Sequence, residues 1–309
     1  MSEYPQATIS AGEITAVVYL PDAQRAFYRG TRFDHSGIIG SLRYRDHEYF
    51  GQWKDSHDPL FHDCITGPAE EFEAADTPDQ DFQRVAEGAP FLRLGVGLLR
   101  KVGDGDFRRF YTYPIADDSG WQTSIASNQV IFEHMASSPT GLSYQYRKTL
   151  SLAKQAPVLS LAHTLVNTGR VPIATRQYNH NFFRIDGLPP GPSLHMTAPI
   201  APSMMNPAPG LLSIDGGRAS LLRCLRPGES ILAELTQQSA PYDLAIFQEA
   251  TSAGVRICAD RPLTRLLLWV SRSVFCPEPY INIHIQPGES FSWNLSYMFY
   301  ANQNSPCAI

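Results

Sequence analysis

Ile281-Asn282-Ile283-His284-Ile285, then Gln286-Pro287-Gly288-Glu289, then Phe291-Ser292-Trp293-Asn294-Leu295-Ser296-Tyr297-Met298-Phe299 is the stretch whose reading decides the fold. Apolar residues occupy every second position on both sides of the Pro-Gly-Glu turn, which is the period of a strand with one buried face. The pattern predicts two strands, and the short turn between them predicts a hairpin. Working back along the chain, Leu266-Leu267-Leu268-Trp269-Val270 is a continuous apolar run of strand length, which predicts a strand covered on both faces. Leu159, Leu161, His163 and Leu165 share one face of a run that ends at Asn167-Thr168-Gly169. Leu142 to Arg147 alternates in the same way after a turn at Ser138-Pro139-Thr140-Gly141. No segment of helical length shows a convincing period of 3.6, and 24 prolines and 22 glycines are spread over the whole length. The expectation is an all-β chain with few short helices, built as a large β-sandwich, with no linker that would divide residues 1–309 into domains.

A chain of 309 residues can bury a large core. Its formal net charge of -5 and its lack of a basic block argue against nucleic acid or an anionic membrane as partner, and favour a small neutral or weakly charged ligand. No stretch approaches the length of a membrane span, and the first 25 residues lack the basic start and apolar run of a secretory signal, so the expected location is the cytoplasm. The five cysteines, Cys64, Cys224, Cys258, Cys276 and Cys307, are scattered without a Cys-x-x-Cys pair. They indicate buried thiols rather than a disulfide framework or a zinc site. The oligomeric state is not legible.

Two side chains stand out for proton transfer. His180 lies between two asparagines in Tyr178-Asn179-His180-Asn181-Phe182-Phe183, and imidazole is the group that titrates near neutrality. A hydrogen-bonded core histidine would read the same way. Glu278 lies between two prolines in Cys276-Pro277-Glu278-Pro279, on backbone held extended before Pro279. Among buried aromatics its pKa would rise toward the range of a general base, whereas in an exposed Pro turn it would be an ordinary surface carboxylate. Together they supply an acid and a base on two strands, the minimum for moving protons at both ends of a substrate.

The same residues carry a family resemblance. Asn167-Thr168-Gly169 followed by Asn179-His180 and aromatics, then Cys276-Pro277-Glu278-Pro279, Pro287-Gly288-Glu289 and the final aromatic strand, resemble the aldose 1-epimerase (galactose mutarotase) pattern. The resemblance implies the β-supersandwich of the galactose mutarotase type, a small-molecule carbohydrate as ligand, and no cofactor. It implies an isomerase in which Glu278 takes the proton of the C1 hydroxyl and His180 protonates the ring oxygen. Arg32, in a segment similar to the family's first strands, Asn179 and Asp243 are then implied as sugar contacts. The family's second histidine, in a His-Gly pair, is missing. The matching region reads His62-Asp63-Cys64-Ile65-Thr66-Gly67-Pro68-Ala69-Glu70-Glu71-Phe72, so His62 takes that role from a shifted position, or Glu70 and Glu71 replace it. Two other functions suit the same fold: a non-catalytic carbohydrate-binding or regulatory protein, and an enzyme acting on a different cyclic substrate by proton transfer.

Other groups are weaker signals. Trp53, beside a polar loop, is the tryptophan expected to contact ligand, with most of Trp121, Trp269 and Trp293 expected in the core. Arg100-Lys101 could hold an anion, though a basic pair ending a strand is more often solvated. His57, Asp58, His62 and Asp63 have ligand chemistry but no diagnostic spacing, so no metal site is expected. The acidic segment 54–90 and the Pro/Gly-rich segment 187–210 read as long loops, the first of them closing over the site.

Overall fold

The computed structural model describes residues 4–74, 80–117, 120–200, 208–236 and 238–301. In chain order the strands are β1 (Gln6–Ala11), β2 (Ile14–Tyr19), β3 (Ile38–Tyr44), β4 (His47–Glu48), β5 (Pro68–Ala74), β6 (Pro90–Arg93), β7 (Gly97–Arg100), β8 (Ile115–Asp117), β9 (Gln122–Ala126), β10 (Gln129–Ser137) and β11 (Ser143–Leu152). They continue with β12 (Val158–Asn167), β13 (Ile173–Asn181), β14 (Leu194–Thr197), β15 (Leu212–Asp215), β16 (Arg218–Leu221), β17 (Ile231–Thr236), β18 (Asp243–Gln248), β19 (Ala253–Ala259), β20 (Arg265–Val270), β21 (Phe275–Ile285) and β22 (Ser290–Ala301). The helices described are α1 (Gln80–Gln83) and a single 3-10 turn at Ile185–Gly187.

A ten-stranded antiparallel sheet, ordered β15-β16-β14-β18-β19-β22-β12-β11-β10-β9, packs against a five-stranded one, ordered β17-β20-β21-β13-β5. Their shared interior holds Leu159, Leu161, Leu165, Trp293, Leu295 and Tyr297 from the first and Ile173, Ile281, Ile283 and Ile285 from the second, all buried in one cluster. A four-stranded sheet, β1 to β4, extends the same core. A three-stranded one, β6 to β8, closes over a smaller aromatic cluster of Phe82, Phe91, Phe107 and Tyr113.

The strands around Pro287-Gly288-Glu289 are as expected, but the hairpin is not. β21 is bonded to β20 and β13 in the five-stranded sheet, whereas β22 lies between β19 and β12 in the ten-stranded one. The turn therefore carries the chain from one sheet to the other, and Asn167-Thr168-Gly169 does the same between β12 and β13. Alternation alone cannot distinguish these cases, because it fixes which face is buried and not what covers it. Here each strand covers the other across the core. Asn167 fastens the two crossings together: its amide nitrogen donates to the Val171 and Ile285 carbonyls at 2.9 and 3.0 Å. Its backbone N–H donates to Glu289 O, and its carbonyl accepts from Gly288 N, both at 2.9 Å. Gly288 has φ of +83°, where a side chain would be strained.

Two further expectations change. In Leu266–Val270 the core face is Leu266, Leu268 and Val270, while Leu267 and Trp269 line an open cleft. Segment 54–90 is not all loop, since Pro68–Ala74 is the edge strand paired to β13. Of segment 187–210, residues 201–207 lie outside the described residues, as does Cys307. The four described cysteines are free; Cys64 and Cys276 are buried, but Cys258 is only half-buried and Cys224 is exposed.

Candidate active site

The face of the five-stranded sheet turned away from the core forms the floor of a cleft of about 830 Å³. Alternation puts Leu267 and Trp269 of β20, Glu278 and Tyr280 of β21, and His180 of β13 on that floor. The two candidate catalytic residues meet because of a gap in the sheet. The β13–β21 ladder runs from Ile173–Ile285 to Tyr178–Tyr280, then stops, and resumes as a single bridge at Phe183–Phe275 in the same register. Pro277 and Pro279 lie in the gap and have no N–H to donate, while the ladder from β21 to β20 continues past both to Phe275. Asn181 fills part of the gap, its amide donating to the Pro277 carbonyl at 3.0 Å while its oxygen accepts from Tyr297 Oη at 2.9 Å. His180 and Glu278 face each other in this gap, with Nε2 3.1 Å from Oε1.

Both side chains are about 5% exposed, and their surroundings set their protonation. Burial raises the Glu278 carboxyl to about 7, against the opposing pull of Arg32 and Arg109. Burial also drives His180 well below the usual imidazole range, and the Arg32 charge adds to this. Below about pH 7 the pair therefore holds one proton, on Glu278, and above it that proton is lost. The imidazole stacks on Phe182 with centroids 4.2 Å apart and receives the edge of Trp269 at 5.4 Å. Among the described residues its Nδ1 has no hydrogen-bond partner, so Glu278 and the aromatic packing orient the ring.

Beside the pair lies a charged cluster centred on Glu71, which is fully buried. Arg32 Nε reaches it at 2.8 Å, Arg93 at 3.0 Å and Arg109 through two nitrogens at 2.9 Å. Arg32 also bonds Asp63 and Tyr178, and Arg109 bonds Glu73 and Tyr178. These bonds hold Arg32 and Arg109 rigidly in the cleft wall, and the three guanidiniums keep Glu71 ionised far below the usual carboxylate range despite its burial.

Of the residues singled out from the sequence, His180, Glu278, Arg32 and Trp53 line this cleft. His62 stands behind the lining, its ring stacked on Phe61 at 4.4 Å and its Nδ1 3.0 Å from Asp63, which does line it. Glu71 supports the wall from behind. Glu70 and Asn179 must be corrected as sugar contacts: they are one residue out of phase with Glu71 and His180, and a strand sends such neighbours to opposite faces. Both point into the core between the sheets, where Asn179 donates to Glu70 at 2.9 Å and His163 and Lys148 reach Glu70 at 3.1 Å. Asp243 is also misplaced, lying on β18 of the ten-stranded sheet in a two-pronged pair with Arg256. His57 bonds the Phe27 carbonyl at 2.7 Å and Asp58 caps Leu60 N, and among the described residues no three His, Cys, Asp or Glu side chains gather for a metal. Lys101 spends its ammonium on the Phe82 and Val85 carbonyls rather than on an anion.

Sequence reading missed Arg109, Tyr280, Trp269, Arg184 and Arg272 in the lining. For Tyr280 and Trp269 a signal existed: each is an even number of residues from a floor position on its own strand. Arg109, Arg184 and Arg272 come from outside the strands, where no period operates.

No family model matches the sequence, and no curated protein matches it. Solved structures do match the fold. A candidate aldose 1-epimerase from Escherichia coli K12 superposes with a TM-score of 0.59 at 14% identity, covering 96% of this chain and 99% of its own. A galactose mutarotase-like protein from Lactobacillus casei gives 0.58 at 16%, covering 96% and 100%. A galactose mutarotase related enzyme from Lactobacillus acidophilus gives 0.55 at 13%, covering 98% and 100%. The chain thus has the galactose mutarotase-like β-sandwich fold over nearly its whole length. Among the described residues no helix is long and apolar enough to cross a membrane.

Proposed function

We propose that this protein is a carbohydrate isomerase that interconverts the anomers of an aldose, with His180 and Glu278 as its acid and base. The observation that carries the reading is the buried His180–Glu278 contact of 3.1 Å on the floor of a cleft large enough for a sugar, between strands that two prolines keep unbonded. A structural ion pair would not need Glu278 at about 7, a value matched to proton transfer at neutral pH.

Ring opening requires the C1 hydroxyl to lose a proton as the C1–O5 bond breaks and O5 gains one. The singly protonated pair supplies both halves. In the resting pair the proton sits on Glu278; once it has crossed the contact to His180, the freed carboxylate takes the hydroxyl proton and His180 gives its own to O5, leaving the proton on Glu278 again. The product is the open-chain aldehyde. After rotation about C1–C2, the 5-hydroxyl adds to the other face of the carbonyl, returning its proton to His180 while Glu278 protonates the new C1 oxygen. Atoms and charge balance, and no electron leaves the substrate. The contact leaves no space for an oxygen atom between Nε2 and Oε1, so substrate must part the two side chains as it enters. Trp53 and Trp269, edge to face at 5.0 Å, offer apolar surface for the C–H face of a pyranose.

Anomer-exchange NMR on a panel of aldoses tests this, with the spontaneous rate subtracted. Exchange accelerated by wild type and lost in the His180→Ala protein is expected; binding without acceleration would leave a carbohydrate-binding protein.

A further inference from the structure

Among the described residues four arginines line the cleft, and they are not equivalent. Arg32 and Arg109 are fully engaged with Glu71, Asp63, Glu73 and Tyr178. Among the described residues the Arg184 side chain has a single bond, from Nε to the Gly187 carbonyl at 3.2 Å, Arg272 is exposed, and neither has a carboxylate within ion-pair reach. The lining carboxylates are mostly spoken for. Glu278 is held by His180, Asp63 by Arg32, and Glu229 by Arg223 at 2.6 and 2.9 Å. Asp55 remains, so the open part of the cleft presents two guanidiniums against one carboxylate in a chain whose net charge is -5.

Their placement is built. Arg184 directly follows Phe183, and Arg272 lies in the turn leading to Phe275; the Phe183–Phe275 bridge, with bonds of 3.0 and 3.2 Å, ties the two segments together. Ser271 Oγ accepts from Ser273 N and Val274 N at 3.3 Å, fixing the turn that carries Arg272. The Arg184 stem crosses Gly51 so closely that a Cβ there would come within 2.8 Å of it. Both arginines thus stand at the far end of the two strands that carry His180 and Glu278. Arg184 follows His180 by four residues along the chain, and both side chains line the same cleft.

We infer that Arg184 and Arg272 form a subsite for an oxyanion at the end of the sugar remote from C1, so that the preferred substrate is an acidic aldose, a 6-phosphate or a 6-carboxylate. Guanidinium forks suit both groups, through paired charge-assisted bonds that a hydroxymethyl group cannot offer. This inference rests on the anomer-isomerase reading for the identity of the reaction but not for the binding site.

The experiment compares free aldoses, their 6-phosphates and their uronates. Wild type should show kcat/KM for one acidic series at least about 10-fold above the free sugars. Arg184→Ala and Arg272→Ala should each erase most of that preference, with Arg272→Lys restoring part of it, and the series favoured identifies the anion. Equal kcat/KM for acidic and free sugars, or an unchanged preference in both alanine proteins, would overturn the inference. If no sugar exchanges faster than in buffer, calorimetry with the same sugars decides: tighter binding of the acidic series, lost in Arg184→Ala, upholds the subsite while the isomerase reading falls. Equal binding of both classes would overturn the subsite as well.

Discussion

Replacing Glu278 with Gln should stabilise the folded protein at alkaline pH. The glutamate carboxyl goes from 4.5 in the unfolded chain to about 7 when folded, because burial penalises its charge. A carboxyl raised in this way favours folding fully below 4.5, and that contribution is lost as pH climbs through 7. At about 1.4 kcal/mol per pH unit, the span corresponds to about 3 kcal/mol against the folded state at pH 8.5, relative to pH 4.5. Gln has nearly the same shape and carries no charge to bury, so the variant escapes that penalty. In a chain of this length the difference is worth about 5 °C in Tm. The assay is thermal and urea unfolding of both proteins from pH 5 to 9, reading the variant-minus-wild-type difference so that other titrating groups cancel. The difference should be small at pH 5, grow in favour of Gln up to about pH 7 and level off above it. A variant less stable than wild type at pH 8.5 would refute the reasoning, because it would mean that the ionised carboxylate is a net favourable partner in the fold.

The same protonation scheme sets the pH dependence of turnover: if the singly protonated pair is the active form, kcat/KM should fall about 10-fold per pH unit above about 7. A profile flat from pH 6 to 9 would mean that the pair does not carry the proton. Glu71→Gln leaves three guanidiniums without their shared counterion and should cost about 3–5 kcal/mol in urea unfolding, with a loss below 1 kcal/mol counting against the cluster as a unit. Asn167→Ala removes the amide bonds that join the two sheet crossings, and should cost about 1–3 kcal/mol without altering the preference among substrates. An unchanged melt would show that the turns hold themselves.

The fold was legible where burial has a simple period. Leu159 to Leu165 and Phe291 to Phe299 each expose one face, and strand identity follows from that alone. Partner choice did not follow, because Ile281–Ile285 and Phe291–Phe299 show the same pattern in a hairpin as in a crossing between sheets. The difference lies in their partners, β20 and β13 for one strand and β19 and β12 for the other, of which β12 and β13 are distant in sequence. In the candidate site, His180 and Glu278 were visible through their chemistry and their neighbours, but Glu70 and Asn179 were not separable from Glu71 and His180. Adjacent strand residues differ only in parity, and the parity of β5 is set by its pairing to β13. Arg109, Arg184 and Arg272 left no trace in any pattern, since their positions depend on loops that the sheets bring together.

The most direct measurement of the central claim is anomer exchange by NMR with the Glu278→Gln and His180→Ala proteins, each shown by its melt to be cooperatively folded. Exchange of the substrate preferred by wild type should drop by about 10² to 10⁴ in either variant, chiefly in kcat, as expected when the group lost is a positioned acid or base. Wild-type exchange rates in a folded Glu278→Gln or His180→Ala protein would contradict the claim that this pair moves the protons.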